Sequence, residues 1–188
     1  MNPVSERLKE QRDHGTSVFP CGLYEVFEDT VWSGAKHHWH DEMEIIYFMK
    51  GDYKVNVNME SYFINQECFF FINSGDLHSI EPLSKSVESA IVFNPCILSF
   101  EHYDMAQTLV NREIQFPHML ESTHPAFARI KQEYLEIVNH FHQTGFFLAK
   151  DIQMVTENLA SQLFIRASLL KILGTLSSFS LLTEPEKT

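Results

Sequence analysis

Between Phe19 and Phe93 the chain alternates short apolar stretches with polar turns, and the apolar period is two. Phe19, Leu23, Tyr24, Val26 and Phe27 open a region of strand-like spacing that Thr30, Val31 and Trp32 continue until Ser33 and Gly34 turn the chain. Glu44 to Met49 is apolar on both parities, Ile46 and Phe48 on one face, Ile45, Tyr47 and Met49 on the other, which predicts a strand covered on both sides. After the turn Lys50-Gly51-Asp52, Tyr53, Val55 and Val57 alternate with Lys54, Asn56 and Asn58, the pattern of a half-buried strand. Tyr62 to Ile64, Cys68 to Ile72 and Ala90 to Phe93 supply further strands, separated by turns at Met59 to Ser61, Asn65-Gln66 and Asn73 to Asp76. Short strands at this spacing imply a sandwich or barrel.

From Ser99 the period lengthens to that of a helix. Ser99 to Glu113 is expected to form a first helix. Thr123 would cap a second, with Pro125 in its first turn and Phe127, Ile130, Tyr134, Ile137, Val138 and Phe141 on its apolar face. Asp151 would start a third, carrying one stripe of Ile152, Val155, Leu159, Leu163, Ala167, Leu170 and Leu173 and a second of Ile165, Leu169, Ile172 and Leu176. Two apolar stripes suit a helix buried on both faces, either wholly inside the domain or partly against a second chain. The resulting organisation is an N-terminal arm and β-barrel over residues 1–98, a helical segment over 99–182 that packs on the barrel, and a linker beginning in 183–188. Ser5 to Gln11 would form at most a short helix.

The chain has 188 residues, 44% of them hydrophobic and 21% charged, enough for one domain with a sizeable core. Sixteen Phe require much aromatic burial. A formal net charge of -11 excludes this chain as the part that grips a nucleic-acid backbone, which needs clustered Lys and Arg. Cys21, Cys68 and Cys96 are odd in number and lack CxxC spacing, so neither a disulfide framework nor a thiolate zinc site is indicated and a reducing cytoplasm is expected. The polar N-terminus predicts no secretory signal. No membrane span is expected, because the apolar run Ser168 to Leu182 is interrupted by Lys171 and several Ser.

Within this frame, His37 to Gly51 stands out. His38 and His40 are two residues apart, so on an extended strand they project to one face, and Glu44 follows after a polar turn. His78 emerges from the turn after the dense strand Cys68 to Ile72. Neutral imidazoles with one carboxylate suit a divalent cation such as Zn, Ni, Fe or Mn. Ile46 and Phe48 share Glu44's parity and are expected to line the lumen beside it as walls of a small-ligand pocket. Trp39 has the opposite parity and is expected to pack outside. His37, Asp41 and Glu42 are expected in exposed turns, and His102, His118, His124, His140 and His142 at the surface.

His38-x-His40-x3-Glu44-x6-Gly51, followed by Gly75-x2-His78, resembles the two motifs of the cupin superfamily, with Glu67 in place of a Gly and Ser74 in place of a Pro. The resemblance implies a cupin jelly-roll barrel, mainly β with about three C-terminal helices, and a metal set of His38, His40, Glu44 and His78. The wording His38-Trp39-His40-Asp41-Glu42, the turn Asn73-Ser74-Gly75-Asp76-Leu77-His78, Val92-Phe93-Asn94-Pro95 and the run Ala167 to Leu173 is similar to the N-terminal sensor domains of AraC-type transcriptional regulators, over about His14 to Leu176. That resemblance implies a domain that binds a small-molecule effector, forms a homodimer through its C-terminal helices, and reaches DNA only through a helix-turn-helix part that would lie beyond Thr188. It also implies that the arm around His14 could fold over the ligand. The competing reading is a small metal-dependent cupin enzyme, a dioxygenase or isomerase, although no acid/base pair is evident beyond the ligand set.

Overall fold

The computed structural model describes residues 6–29, 31–100, 102–148 and 152–183. Its centre is β3 (Met43–Lys50), whose two apolar parities face two different cores. On one parity Ile45 and Tyr47 join a cluster with Leu23, Phe69, Phe71, Ile91 and Phe93. On the other, Ile46 and Phe48 join Phe70, Ile72, Tyr53, Val55, Val57, Ile64 and Ile80. A strand buried on both sides is what its unbroken apolar run predicts.

Two antiparallel sheets enclose the second cluster. The larger runs β10 (Phe146–Phe147), β11 (Met154–Val155), β1 (Cys21–Val26), β8 (Val87–Phe93), β3, β6 (Cys68–Ile72) and β9 (Met119–Glu121). The smaller runs β2 (Ala35–His38), β7 (His78–Pro82), β4 (Tyr53–Val57) and β5 (Glu60–Ile64). Gly51, at φ +111°, makes the β3–β4 turn, which a residue with a Cβ would strain.

Three helices cover the outer face of the large sheet: α1 (Met105–Val110), α2 (Phe127–Thr144) and α3 (Leu159–Ser178). Ile130, Tyr134, Ile137 and Phe141 on α2 and Ile165, Leu169, Ile172 and Leu176 on α3 are buried in the same cluster as Tyr47 and Phe69. Tyr47 stacks on Phe69 with ring centroids 4.7 Å apart, and Tyr134 meets both rings edge-on or tilted. The mainly β cupin architecture with three C-terminal helices is therefore present, and the aromatic load lies largely under these helices.

Several boundaries differ from the sequence expectation. The strand expected to run through Val31 and Trp32 is not formed; β2 begins at Ala35 and pairs with β7, itself unanticipated beyond His78. Ser99 to Glu113 is mostly not helical, because Pro95–Leu98 forms a 3-10 turn and Asp104 caps only the short α1. The second helix starts at Phe127, two residues beyond Pro125, and Thr123 does not cap it. The third starts at Leu159 under an Asn158 cap, since Met154–Val155 pairs with β1 as a strand; Asp151 lies outside the described residues. Three strands thus come from beyond residue 98, and Thr183, expected in a linker, pairs with Gln115. Thr30, Glu101, residues 1–5 and residues 184–188 are likewise outside the described set.

Contrary to the expectation of an insufficient apolar run, α3 is long and apolar enough by length and composition to cross a membrane. Its burial against α2 and the sheet is that of a core helix. Its two stripes separate. Ile165, Leu169, Ile172 and Leu176 are buried, and of the other stripe Val155 and Leu173 are buried too, whereas Leu159, Leu163 and the neighbouring Phe164 are exposed.

Candidate metal centre and adjoining cavity

His38 ends β2, His78 begins β7 and pairs with it directly, and Glu44 lies on β3 of the facing sheet. His40, in the loop between β2 and β3, folds back beneath them. The ligand-competent atoms of His38, His40 and His78 all lie within 4.8 Å of one another, so the three could hold a metal ion. Glu44 Oε2 is 3.5 Å from His78 Nε2 and 3.7 Å from His40 Nε2, close electrostatic contacts too long for hydrogen bonds.

The orientation of the rings has a common cause. Each imidazole places Nδ1 against a backbone carbonyl: His38 on Lys36 at 2.7 Å, His40 on Glu42 at 3.1 Å and His78 on Asp76 at 2.9 Å. A carbonyl only accepts, so Nδ1 carries the proton and Nε2 keeps its lone pair facing the shared centre. His78 is fully buried and its Nε2 has no hydrogen-bond partner. An orphaned buried acceptor flanked by two more imidazoles and a carboxylate is the donor set a divalent cation satisfies, so the residues fit such a group.

The electrostatics favour the ligand forms. Burial pushes the Glu44 carboxyl up, but the His40 and His78 imidazoles, when they carry a second proton on Nε2, outweigh it and hold it well below the usual range, so Glu44 stays ionised and a cation can take the place of those protons. Burial, reinforced by His78, pushes His38 down and so favours its neutral form.

Above the cluster opens a cavity of about 140 Å³, lined by the four residues, by Tyr24, Trp32, Ile80, Glu88, Ala90 and Val92 from the two sheets and their connection, and by Glu10, Arg12 and His14 from the arm. Ile46 and Phe48 face the lumen as their parity requires, but they are not cavity walls: they are fully buried in the packed layer between the sheets. The wall above them is low because Ala90, cross-strand from Ile46, is small. The arm around His14 lies where the family resemblance implies, over the cavity, whereas Trp32, Glu88, Glu10 and Arg12 are lining residues that the sequence reading does not name. Glu88 and Ala90 share the Val92 parity on β8, a signal that was available; Trp32 lies outside any strand and gave none.

The arm is tied across the cavity mouth. Leu8 and Glu10 exchange backbone hydrogen bonds with Trp39 at 3.0 and 2.9 Å, and Lys9 Nζ lies 4.8 Å over the Trp39 ring, so Trp39 serves the arm. His14 is buried, with Nδ1 2.8 Å from the Tyr24 hydroxyl and its ring centroid 5.4 Å from that of His40. Burial opposes ionisation of Glu10, but contacts with His14, His38 and His40 hold its carboxyl below the usual range. Gln153, fully buried, donates from Nε2 to the Asp13 carbonyl at 3.1 Å and accepts from the Gly15 amide. Gly22 leaves the room for it, since a Cβ there would run into the Gln153 side chain.

His37 and Asp41 are exposed and Glu42 half-buried; Asp41 pairs with Lys9 at 2.6 Å. His118 is half-buried beside Phe70, His140 stacks on Phe164, and His142 meets Glu25 at 2.8 Å. Asp76, fully buried, is held by Arg112 at 2.7 Å and Asn58 at 2.6 Å, and accepts from the Asn73 amide, which locks the turn carrying His78. This network was not anticipated either.

Comparison with known proteins finds partial matches in sequence and in structure. An HTH-type transcriptional regulator of Bacillus subtilis (strain 168), YdeC, is 28% identical over 123 residues, which is 65% of this chain and 40% of that protein. The chain therefore spans less than half the length of this relative. Among solved structures, KdgF from Halomonas sp. aligns at 15% identity and TM-score 0.33 over 42% of this chain and 72% of its own. A transcriptional regulator of the HTH_3 family from Vibrio cholerae aligns at 17% identity and TM-score 0.34 over 43% and 46%. Bacillus subtilis oxalate decarboxylase OxdC aligns at 23% and TM-score 0.31 over 39% and 20%. The family described as "AraC-like ligand binding domain" matches residues 21–145, two thirds of the chain, and the chain belongs to that family.

Proposed function

We propose that this chain is the effector-sensing part of an AraC-type transcriptional regulator that acts in the cytoplasm. A small molecule occupies the cavity beside a divalent metal held by His38, His40, His78 and Glu44, and the arm closes over it. The observation that carries this reading is the convergence of three Nε2 lone pairs on a cavity whose mouth is spanned by Glu10, Arg12 and His14. When bound, the metal would supply a Lewis-acidic anchor for an oxygen or nitrogen of the effector. The protein's own groups do the rest: Nδ1 donors fix the rings, and the walls exclude water. Binding that favours one arm position shifts the population of that state.

The exposed apolar residues of α3, Leu159, Leu163 and Phe164, suit a homodimer contact through the C-terminal helices. DNA would be reached through a helix-turn-helix part of the same regulator, since the -11 charge of this chain opposes phosphate.

Elemental analysis of protein purified without chelator or histidine tag tests the metal centre. About one equivalent of Zn, Ni, Fe or Mn, lost in His78→Ala, is expected, and its absence across several preparations refutes the site. The open cavity beside the cluster also accommodates a second reading, a metal-dependent cupin enzyme. Turnover of an oxidisable substrate with Fe(II), abolished in His78→Ala, would favour it over a sensor.

A further inference from the structure

The inner face of the large sheet is laid out in rungs by its register. Gly22, Val92, Glu44 and Ile72 form the rung at the histidine end; Tyr24, Ala90, Ile46 and Phe70 form the next; Val26, Glu88, Phe48 and Cys68 form the third. At about 3.3 Å per residue, Glu88 lies roughly 13 Å along β8 from the Glu44 rung. Only the small Ala90 stands between them, and the cavity follows that gap.

Glu88 is 5% exposed, lines the cavity, and its Oε2 has no hydrogen-bond partner among the described residues. A buried carboxyl oxygen without a partner is costly, and of the uncharged walls Val26, Ile80 and Ala90 carry no side-chain donor, while the Trp32 indole N–H does not bond to this oxygen. Burial, reinforced by the Glu44 charge, pushes the Glu88 carboxyl up to about 8, against a smaller lowering contribution from Tyr53. It is therefore mainly a neutral acid at pH 7, able to pair with a hydroxyl or to ionise opposite an ammonium. The charged groups facing the cavity besides Glu88 are Glu10, Glu25 and Glu44 against Arg12, a balance unfavourable to a second carboxylate from a ligand.

We propose that Glu88 is the far pole of a two-ended ligand site: it selects a small molecule that brings a hydroxyl or ammonium donor to this end while its other end reaches the histidine cluster, and it rejects one that brings a carboxylate. The proposal rests on the cavity being an effector site and adds the chemical class and the residue that selects it.

Three six-carbon probes test it: 1,6-hexanediol, 6-amino-1-hexanol and hexanedioate, the last bringing a carboxylate to Glu88 whichever way round it enters, titrated at pH 7 by heteronuclear NMR. The wild type is expected to bind the diol and the amino alcohol at least tenfold tighter than the carboxylate. Glu88→Gln should keep the diol and lose the amino-alcohol preference; Glu88→Leu should lose both, with circular dichroism reporting that each variant is folded. Equal binding of the three probes, binding of none by the wild type, or unchanged ratios in both variants would overturn it. Metal uptake is measured separately. Zinc uptake without probe discrimination removes the Glu88 pole and leaves the metal centre, whereas discrimination without uptake does the reverse.

Discussion

Replacing Glu88 by Gln should make the metal-free protein more stable and flatten its response to pH. The shift from an ordinary 4.5 to about 8 means that folding takes up a proton at this site. Native stability is then greatest below the unfolded carboxylate value and is lost progressively as pH rises from about 4.5 through about 8. At about 1.4 kcal/mol per pH unit, the cost is roughly 3 kcal/mol at pH 7 and approaches roughly 5 kcal/mol above pH 8. That is comparable with a large share of a typical domain's stability of about 5–15 kcal/mol. Glutamine keeps the shape and carries no ionisable group, so its gain at pH 8 over pH 5 should amount to a few kcal/mol. The assay is urea denaturation of chelator-treated wild type and Glu88→Gln at pH 5, 6, 7 and 8, with the difference in unfolding free energy plotted against pH. A difference that stays constant across this range would refute both the neutral acid and its burial as the cause.

Metal affinity should fall on acidification, because each imidazole must be deprotonated to bind; titrations giving equal affinity at pH 7.5 and 5.5 would refute histidine ligation. Asp76→Ala should destabilise the fold by about 2–4 kcal/mol by leaving Arg112 and Asn58 without their buried acceptor, a range discounted for the part-exposed guanidinium and measurable by chemical denaturation. Leu163→Glu should convert a dimer to a monomer in sedimentation while changing folding stability by no more than about 0.5 kcal/mol, since Leu163 is 58% exposed. Ala90→Leu should fill the gap between the histidines and Glu88 and abolish binding of the six-carbon probes without loss of metal.

The strand core was legible because its burial is written in parity: Glu44 to Met49 and Cys68 to Ile72 are apolar on both faces and lie between two cores. That His38 and His40 share a face was legible from their spacing, whereas their meeting with Glu44 and His78 was implied by the resemblance to the two cupin motifs. Parity says which face Ile46 and Phe48 occupy but not whether that depth is filled or open, and their neighbours from the opposite sheet fill it. Helix starts were misjudged where Thr123 and Asp151 looked like caps, because local capping chemistry competes with sheet pairing by distant strands; Met154 belongs to β1's partner and the chain cannot coil until Asn158. Gln153, a single polar residue directly before β11, carries no pattern that would reveal a contact with Asp13 and Gly15, well over a hundred residues away.

That glutamine gives the arm the mechanics of a strap rather than a flap. One stitch fastens Leu8 and Glu10 to Trp39 beside the histidine motif, and the other fastens Asp13 and Gly15 to Gln153. With about 1 kcal/mol net for each hydrogen bond, the two bonds of the Gln153 stitch hold the arm by on the order of 2 kcal/mol. The residue that makes the second stitch stands directly before β11, the strand that leads toward α3, so the arm and the approach to that helix are fastened at one point.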